Sequence, residues 1–132
     1  MDSINTDWQK ETILYVLVVD NLVKFGISSN LERRMKTYNK ELNGYSYQII
    51  KKIVFDRRWE AELIEQIVKW RLRKWAVEET HEWIKLPIQP VLDCINQCIT
   101  EIKPEFKKHK HIHLKGKNRW DFYKQIAHYY FD

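Results

Sequence analysis

The sequence is poor in residues that interrupt regular structure or cross-link a chain. Of its 132 residues, three are glycine, three are proline and two are cysteine, and no apolar run reaches the length of a membrane span. The scarcity of glycine and proline excludes a collagen-like or low-complexity chain. Cys94 and Cys98 lie four residues apart in one predicted helix, a spacing that disfavours a disulfide. We therefore expect a reducing compartment, the cytosol or a nucleus.

The abundant residue types describe a folded, basic domain. Hydrophobic residues make up 44% of the chain and aromatic residues 14%, and the formal net charge is +5 with a pI of about 9.1. A chain of this size supports one core and is too short for two independent ones. The positive charge favours a polyanionic partner such as a nucleic acid. The polar start of the chain has no signal-peptide core, so we expect no membrane partner.

Two short apolar stretches near the start of the chain predict a β-hairpin. They cover residues 13–19 and 22–27, with Asp20 and Asn21 between them. Asp and Asn tolerate the left-handed backbone that a tight hairpin turn needs. The sequence therefore predicts two antiparallel strands joined at these two residues.

Helical patterns dominate the rest of the chain. Ser29 and Glu32 have the spacing of a capping box and predict a helix directly after the hairpin. The later elements are predicted in this order: a strand over residues 45–55, a long helix over 57–75, a short strand or turn over 81–86, a helix over 90–102 closed by Pro104, and a last aromatic helix from Asn118.

Two charged residues on the predicted helices are candidates for chemistry. Arg34 lies beside the apolar stripe of the first helix, and a guanidinium held there can bind a phosphate with two hydrogen bonds. Glu65 interrupts the apolar stripe of the long helix, where a carboxylate needs a partner because burying it alone is costly. That partner is either a structural Arg or Lys or a divalent cation. Glu60 and Glu62 lie on other faces, and we expect them to be solvated.

Four short motifs occur in the same order and with similar spacing as motifs of a known protein family. In chain order they are Tyr15, Lys24-Phe25-Gly26, Arg34 and Glu65. This set resembles the GIY-YIG nuclease superfamily, and most closely its phage-type branch, in which the second motif reads Lys-Ile-Gly. That branch also has a later Glu-Trp-Phe segment, which corresponds here to Glu82-Trp83-Ile84. The resemblance covers roughly residues 13–86.

The resemblance implies an α+β fold, with a small three-stranded antiparallel sheet flanked by helices and extra helices after it. It also implies that the protein is an endonuclease that hydrolyses DNA phosphodiesters with one divalent metal, Mg²⁺ or Mn²⁺, held by Glu65. By position, Tyr15 orients or deprotonates the attacking water, and Lys24 depresses the tyrosine pKa or contacts the phosphate. Arg34 stabilises the charge that develops on the phosphate. A free tyrosine has a pKa near ~10, so acting as a base requires cations that lower it.

Gly26 and Tyr38 are further positions of this site, and Tyr38 and Ile13 depart from the family pattern. Gly26 allows a close approach to the backbone. Tyr38 takes the position four residues after the arginine where the family often has histidine, and its phenol either makes a similar hydrogen bond or packs. Ile13 stands where the first motif of the family opens with glycine. A DNA-binding module that kept the fold and lost turnover is therefore an alternative function.

The C-terminal part of the chain has a different composition. We divide the chain into a nuclease-like domain, residues 1–102 with its core at 13–86, and a basic arm with an aromatic helix, residues 103–132. The arm is either a solvated connector or, as we prefer, a source of phosphate contacts without sequence readout. The predicted DNA-binding residues are Lys107, Lys108, Lys110, Lys115, Lys117 and Arg119.

The sequence also bears on zinc binding and on the partners of the protein. Cys94 and Cys98 with His109, His111 and His113 include zinc-ligand types, but the cysteines lack the tight spacing of a zinc knuckle. We interpret them as helical thiols and surface imidazoles. DNA is the expected partner, with no small-molecule cofactor, and a homodimer is one way for a lone site to cut both strands. The resemblance points to a phage or viral origin and hence to a host cytoplasm.

Overall fold

The computed structural model describes residues 7–42, 46–77, 83–114 and 117–131. These ranges contain the following elements: β1 Thr12–Val19, β2 Leu22–Ser28, α1 Leu31–Glu41, β3 Gln48–Phe55, α2 Arg58–Arg71, a 3₁₀ turn at Arg73–Trp75, β4 Trp83–Ile84, α3 Ile88–Lys108 and α4 Lys117–Phe131. Within them, no helix is both long enough and apolar enough to cross a membrane.

The strands form one antiparallel sheet in the order β3-β1-β2-β4. The predicted hairpin is present, and Asp20 at its turn has φ 53°, a left-handed conformation that a short polar side chain tolerates. The α+β class is confirmed, but the expected three strands are four. The additional strand is the segment predicted as a short strand or turn, which pairs with β2 through only two residues, too few to show a strand period.

Two helix boundaries differ from the predictions. The N-cap of α1 is Asn30, whose side-chain oxygen accepts a hydrogen bond from the Arg33 backbone N–H at 3.0 Å, so the predicted capping box at Ser29 was wrong. Pro104 does not close a helix, because α3 continues through it to Lys108. Pro90 lies in the first turn of α3, where a missing N–H costs no helical hydrogen bond.

The sheet separates two groups of buried side chains. Successive residues of a strand point to opposite faces. Leu14 and Val16 of β1 accordingly pack with α2, α3 and α4, whereas Tyr15 and Leu17 pack with α1. One face of the sheet thus holds the main core and the other holds a smaller cluster that includes Tyr15.

The C-terminal helices take part in the main core. Ile102 of α3 and Tyr123 and Ile126 of α4 are buried in the same cluster as α2. Helix α3 also crosses the predicted boundary at residue 102, which places Lys103, Lys107 and Lys108 on a helix and not on an extended arm. The division into two parts stays a prediction.

Candidate functional site

The hairpin register places three of the predicted site residues on one face of the sheet. Tyr15 lies opposite Gly26, and Leu17 lies opposite Lys24. Directly opposed residues of an antiparallel pair point to the same face. The ring of Tyr15 lies so close to Gly26 that a Cβ there would stand 2.5 Å from the Tyr15 hydroxyl oxygen and 2.8 Å from its Cζ. The close approach expected at Gly26 is therefore made by the Tyr15 side chain.

We expect Gly26→Ala to destabilise the protein by about 1–3 kcal/mol, the usual cost of overpacking a core. The buried Tyr15 ring must move away from the new methyl group, which also disturbs the hydrogen bonds of its hydroxyl. Urea denaturation measures the change in the free energy of unfolding. In a Tyr15→Leu background the clash is absent, so the same substitution should be neutral or stabilising by about 0.5–1 kcal/mol. An equal loss in both backgrounds would contradict this account.

Helix α1 adds two residues, one turn apart, to the same face. The Tyr15 and Tyr38 hydroxyl oxygens are 2.7 Å apart and hydrogen-bonded. Arg34 donates from Nε to the Tyr15 hydroxyl at 3.4 Å and from Nη2 to the Tyr38 hydroxyl at 3.3 Å. Its guanidinium also lies 4.4 Å from the centroid of the Tyr38 ring. Arg34 is thus held by both phenols and not simply solvated.

Lys24 completes a group that we call the tyrosine cluster: Tyr15, Lys24, Arg34 and Tyr38. The Lys24 side chain is buried, and its Nζ lies 5.1 Å from the Tyr38 ring centroid and 5.3 Å from that of Trp83. Contacts of an ammonium with aromatic faces are favourable. The cluster therefore combines two cations with two phenols at the α1 face of the sheet.

The protonation state of Tyr15 differs from the expectation. Burial raises the pKa of Tyr15, the hydrogen bond with Tyr38 raises it further, and the opposing effect of Arg34 is smaller. Arg34 therefore lowers the pKa of Tyr15, as expected of a neighbouring cation, but burial outweighs this effect in the free protein. A protonated phenol can orient a water molecule or donate to a phosphate oxygen, whereas acting as a base requires further cations that lower its pKa.

Glu65 lies in a different set of contacts. Its side chain is buried on α2, where Gln66 Nε2 donates to Oε1 at 3.4 Å and Lys69 Nζ lies 3.7 Å from Oε2. Burial raises the pKa of Glu65, Lys69 lowers it and the Glu62 charge raises it. Because α2 packs on the opposite face of the sheet from α1, the contacts that hold Glu65 are separate from the tyrosine cluster.

Two other acids of α2 are buried, contrary to the expectation that they are solvated. Glu60 pairs with Arg57 Nη1 at 3.3 Å, and Glu62 accepts a hydrogen bond from Arg119 Nε at 2.7 Å. The prediction that both acids are solvated was wrong because α3 and α4 pack on faces of α2 that the sequence of this helix alone indicates as polar. The Glu62–Arg119 pair joins residues 57 positions apart, and no local signal reveals it.

The donor set around Glu65 fits a hard divalent cation. Mg²⁺ typically takes one or two carboxylates and fills its other positions with water and phosphate oxygens. Glu65 supplies one carboxylate, and Glu62 is near enough for its charge to act on it. A bound ion would replace Lys69 as the partner of Glu65. Within the described ranges, no group of three or more His, Cys, Asp or Glu side chains gathers.

The predicted DNA-binding residues fall at the C-terminal end of α3 and the start of α4. Lys107 and Lys110 line a cleft of about 550 Å³, and Lys108 and Lys117 are exposed nearby in the chain. Lys115 lies outside the described residues. Arg119 is instead engaged with Glu62.

We expect Lys107→Gln with Lys110→Gln to weaken DNA binding and to flatten its salt dependence. The log–log slope should fall by about 0.9 for each phosphate that the variant no longer neutralises, because fewer counterions are released. Fluorescence anisotropy with a duplex of arbitrary sequence at several salt concentrations measures the slope. Lys85→Gln, an exposed lysine before α3, is the matched control. An unchanged slope in the double variant would reject this role.

The family relationship of the chain comes from a comparison with protein-family models. The T5orf172 domain family matches residues 12–99, two thirds of the chain. The chain belongs to the T5orf172 domain family. This family is associated with GIY-YIG-like, phage endonuclease-type proteins, which confirms the resemblance at that level. No curated protein and no solved structure gives a significant match.

The T5orf172 match covers the whole candidate site. It runs from β1 into α3 and so includes the tyrosine cluster and Glu65. It leaves out α4 and the lysines after residue 99. The contact of Lys24 with Trp83 was not anticipated, although Trp83 belongs to the segment that resembles the Glu-Trp-Phe motif. The resemblance to the Glu-Trp-Phe motif was the sequence signal that could have indicated the contact between Lys24 and Trp83.

Proposed function

We propose that this T5orf172 protein is a metal-dependent DNA endonuclease. The observation that carries the proposal is the tyrosine cluster, in which Arg34 bridges two phenols beside a second cation. A phosphate diester is recognised by cationic and hydroxyl donors of this kind. The family association and the positive net charge support the same substrate class.

We assign each residue of the candidate site a role in hydrolysis that is compatible with its surroundings. Arg34 keeps its charge because its hydrogen bonds to both phenols outweigh the effect of burial, so its pKa is raised. It and Lys24 would stabilise the charge that develops on the phosphate. Tyr15, a neutral phenol, would orient the attacking water. A divalent ion, Mg²⁺ or Mn²⁺, held by Glu65 would supply Lewis acidity. Because the contacts that hold Glu65 are separate from the tyrosine cluster, this role requires the bound DNA to reach both groups.

The alternative is a DNA-binding module without turnover. Two observations favour it: Glu65 has Lys69 as a partner in its own helix, and burial raises the pKa of Tyr15. In this alternative, Arg34 and Lys24 still contact phosphate, and the lysines of α3 and α4 still add affinity. The two functions differ in one respect, the cleavage of a phosphodiester.

Plasmid nicking separates these functions. Purified protein is incubated with supercoiled plasmid in Mg²⁺, in Mn²⁺ and in chelator, and DNA binding is followed by gel shift. Conversion to nicked or linear DNA that requires the metal supports the endonuclease. Binding without conversion in either metal, on several plasmids of unrelated sequence, would support the binding module instead.

A further inference from the structure

A second candidate site is a cleft between α2 and α4, outside the tyrosine cluster. It has a volume of about 330 Å³ and mainly apolar walls. The residues that matter here are Gln66, Trp70, Trp120, Tyr123, Lys124 and His128. We call it the tryptophan cleft.

The two indoles of this cleft are unusually exposed. Trp70 is 45% exposed and Trp120 is 37% exposed, although tryptophan is mostly buried in folded proteins. Each is fixed by an arginine: the Arg73 guanidinium lies 4.5 Å from the Trp70 ring centroid and that of Arg119 lies 4.3 Å from the Trp120 centroid. Arg119 is in turn held by Glu62. Exposed aromatic rings held in place from two helices mark a binding surface.

The polar groups of the tryptophan cleft narrow the class of ligand. Lys124 and His128 of α4 bring basic side chains to it, next to the two arginines. The Gln66 amide can form a hydrogen bond with the edge of a planar ring. A flat aromatic group with polar edges that is attached to an anionic chain matches this set, whereas a lipid chain or an apolar peptide would not use the cations. That ligand is a nucleobase in single-stranded DNA.

The tryptophan cleft adjoins the proposed metal ligand. Gln66 lines the cleft and also donates to Glu65 at 3.4 Å, and Lys69, the other partner of Glu65, directly precedes Trp70. We propose that the cleft binds a nucleobase of single-stranded DNA by stacking it on Trp70 and Trp120. The proposal rests on the proposed function for the identity of its ligand, and it makes unpaired DNA the preferred substrate.

The test measures binding of an oligothymidylate by fluorescence anisotropy. We expect Trp70→Ala and Trp120→Ala each to weaken binding roughly 5- to 150-fold, which is the range for removing one base–aromatic stack. Phenylalanine at either position should recover most of the affinity. Trp75→Ala, an exposed tryptophan of the 3₁₀ turn outside the cleft, is the matched control and should change little.

An oligonucleotide that lacks its bases tests the same idea without any variant. It should bind the unmodified protein at least as weakly as oligothymidylate binds the Trp70→Ala variant, with an unchanged salt slope. Equal binding of the two oligonucleotides, or no effect of either tryptophan substitution, would overturn the proposal even if plasmid is cleaved. Weaker binding in both variants without any cleavage would leave the cleft in place and reject the endonuclease.

Discussion

Glu65→Gln is expected to lower metal-dependent plasmid cleavage roughly 100-fold or more, because glutamine keeps the shape of the side chain but loses the charge that would hold the ion. DNA binding measured by gel shift should stay close to that of the unmodified protein, since the phosphate contacts are made by other residues. The comparison uses initial nicking rates in Mg²⁺ and Mn²⁺ at equal protein concentration.

The stability of the same variant distinguishes a functional acid from a structural one. The pKa of Glu65 is raised above its ordinary value, so the folded protein binds this proton more tightly than the unfolded chain does. The stabilisation from protonated Glu65 is fully present at pH values below the pKa of this acid in the unfolded chain, and it is lost as the pH rises through its pKa in the folded protein. The ionised Glu65 carboxylate therefore destabilises the folded protein at neutral pH. Glutamine removes that cost, and thermal melts should show an unchanged or higher Tm.

Glu60→Gln is the matched control, because Glu60 is also a buried acid of α2 with a basic partner, Arg57. It should keep its cleavage rate. Cleavage by Glu65→Gln at the unmodified rate would exclude Glu65 as the metal ligand. A clear drop in Tm with no cleavage in the unmodified protein would show that Glu65 serves mainly as the ion-pair partner of Lys69.

Arg34→Lys is expected to lower cleavage about 10²- to 10³-fold, the usual loss when one group that stabilises transition-state charge is removed. Lysine keeps the charge but replaces the planar fork, which donates from two separate nitrogens to the Tyr15 and Tyr38 hydroxyls, with a single nitrogen. The affinity for duplex DNA should change much less than the rate. Single-turnover nicking with protein in excess measures the rate without the binding step.

Arg33→Lys is the natural control for this substitution, since Arg33 is the exposed neighbour on α1. It should behave like the unmodified protein. If Arg34→Lys cleaves normally, the charge alone is sufficient and the bridging geometry has no catalytic role. If both its Tm and its DNA affinity fall sharply, Arg34 chiefly stabilises the packing of α1 on the sheet.

Much of the fold and part of the site followed from local sequence. Two short apolar stretches with Asp20 and Asn21 between them predicted the hairpin, and its register brings Tyr15 opposite Gly26. One helical turn separates Arg34 from Tyr38, so both lie on the same side of α1. These relations depend on neighbours in the chain, which is why the order of motifs was enough to predict the family.

The sequence by itself predicted the hairpin and the helices from periodicity and short spacings, and the resemblance of its motifs implied the α+β class, the relationship to GIY-YIG-like proteins and the residues of the tyrosine cluster. Only the tertiary structure decided how deeply those residues are buried and which partners they have. Burial outweighs the effect by which Arg34 lowers the pKa of Tyr15. The packing of α4 buries Glu62 against Arg119 and forms the tryptophan cleft. Desolvation and pairing depend on groups distant in the chain, and no local pattern contains them.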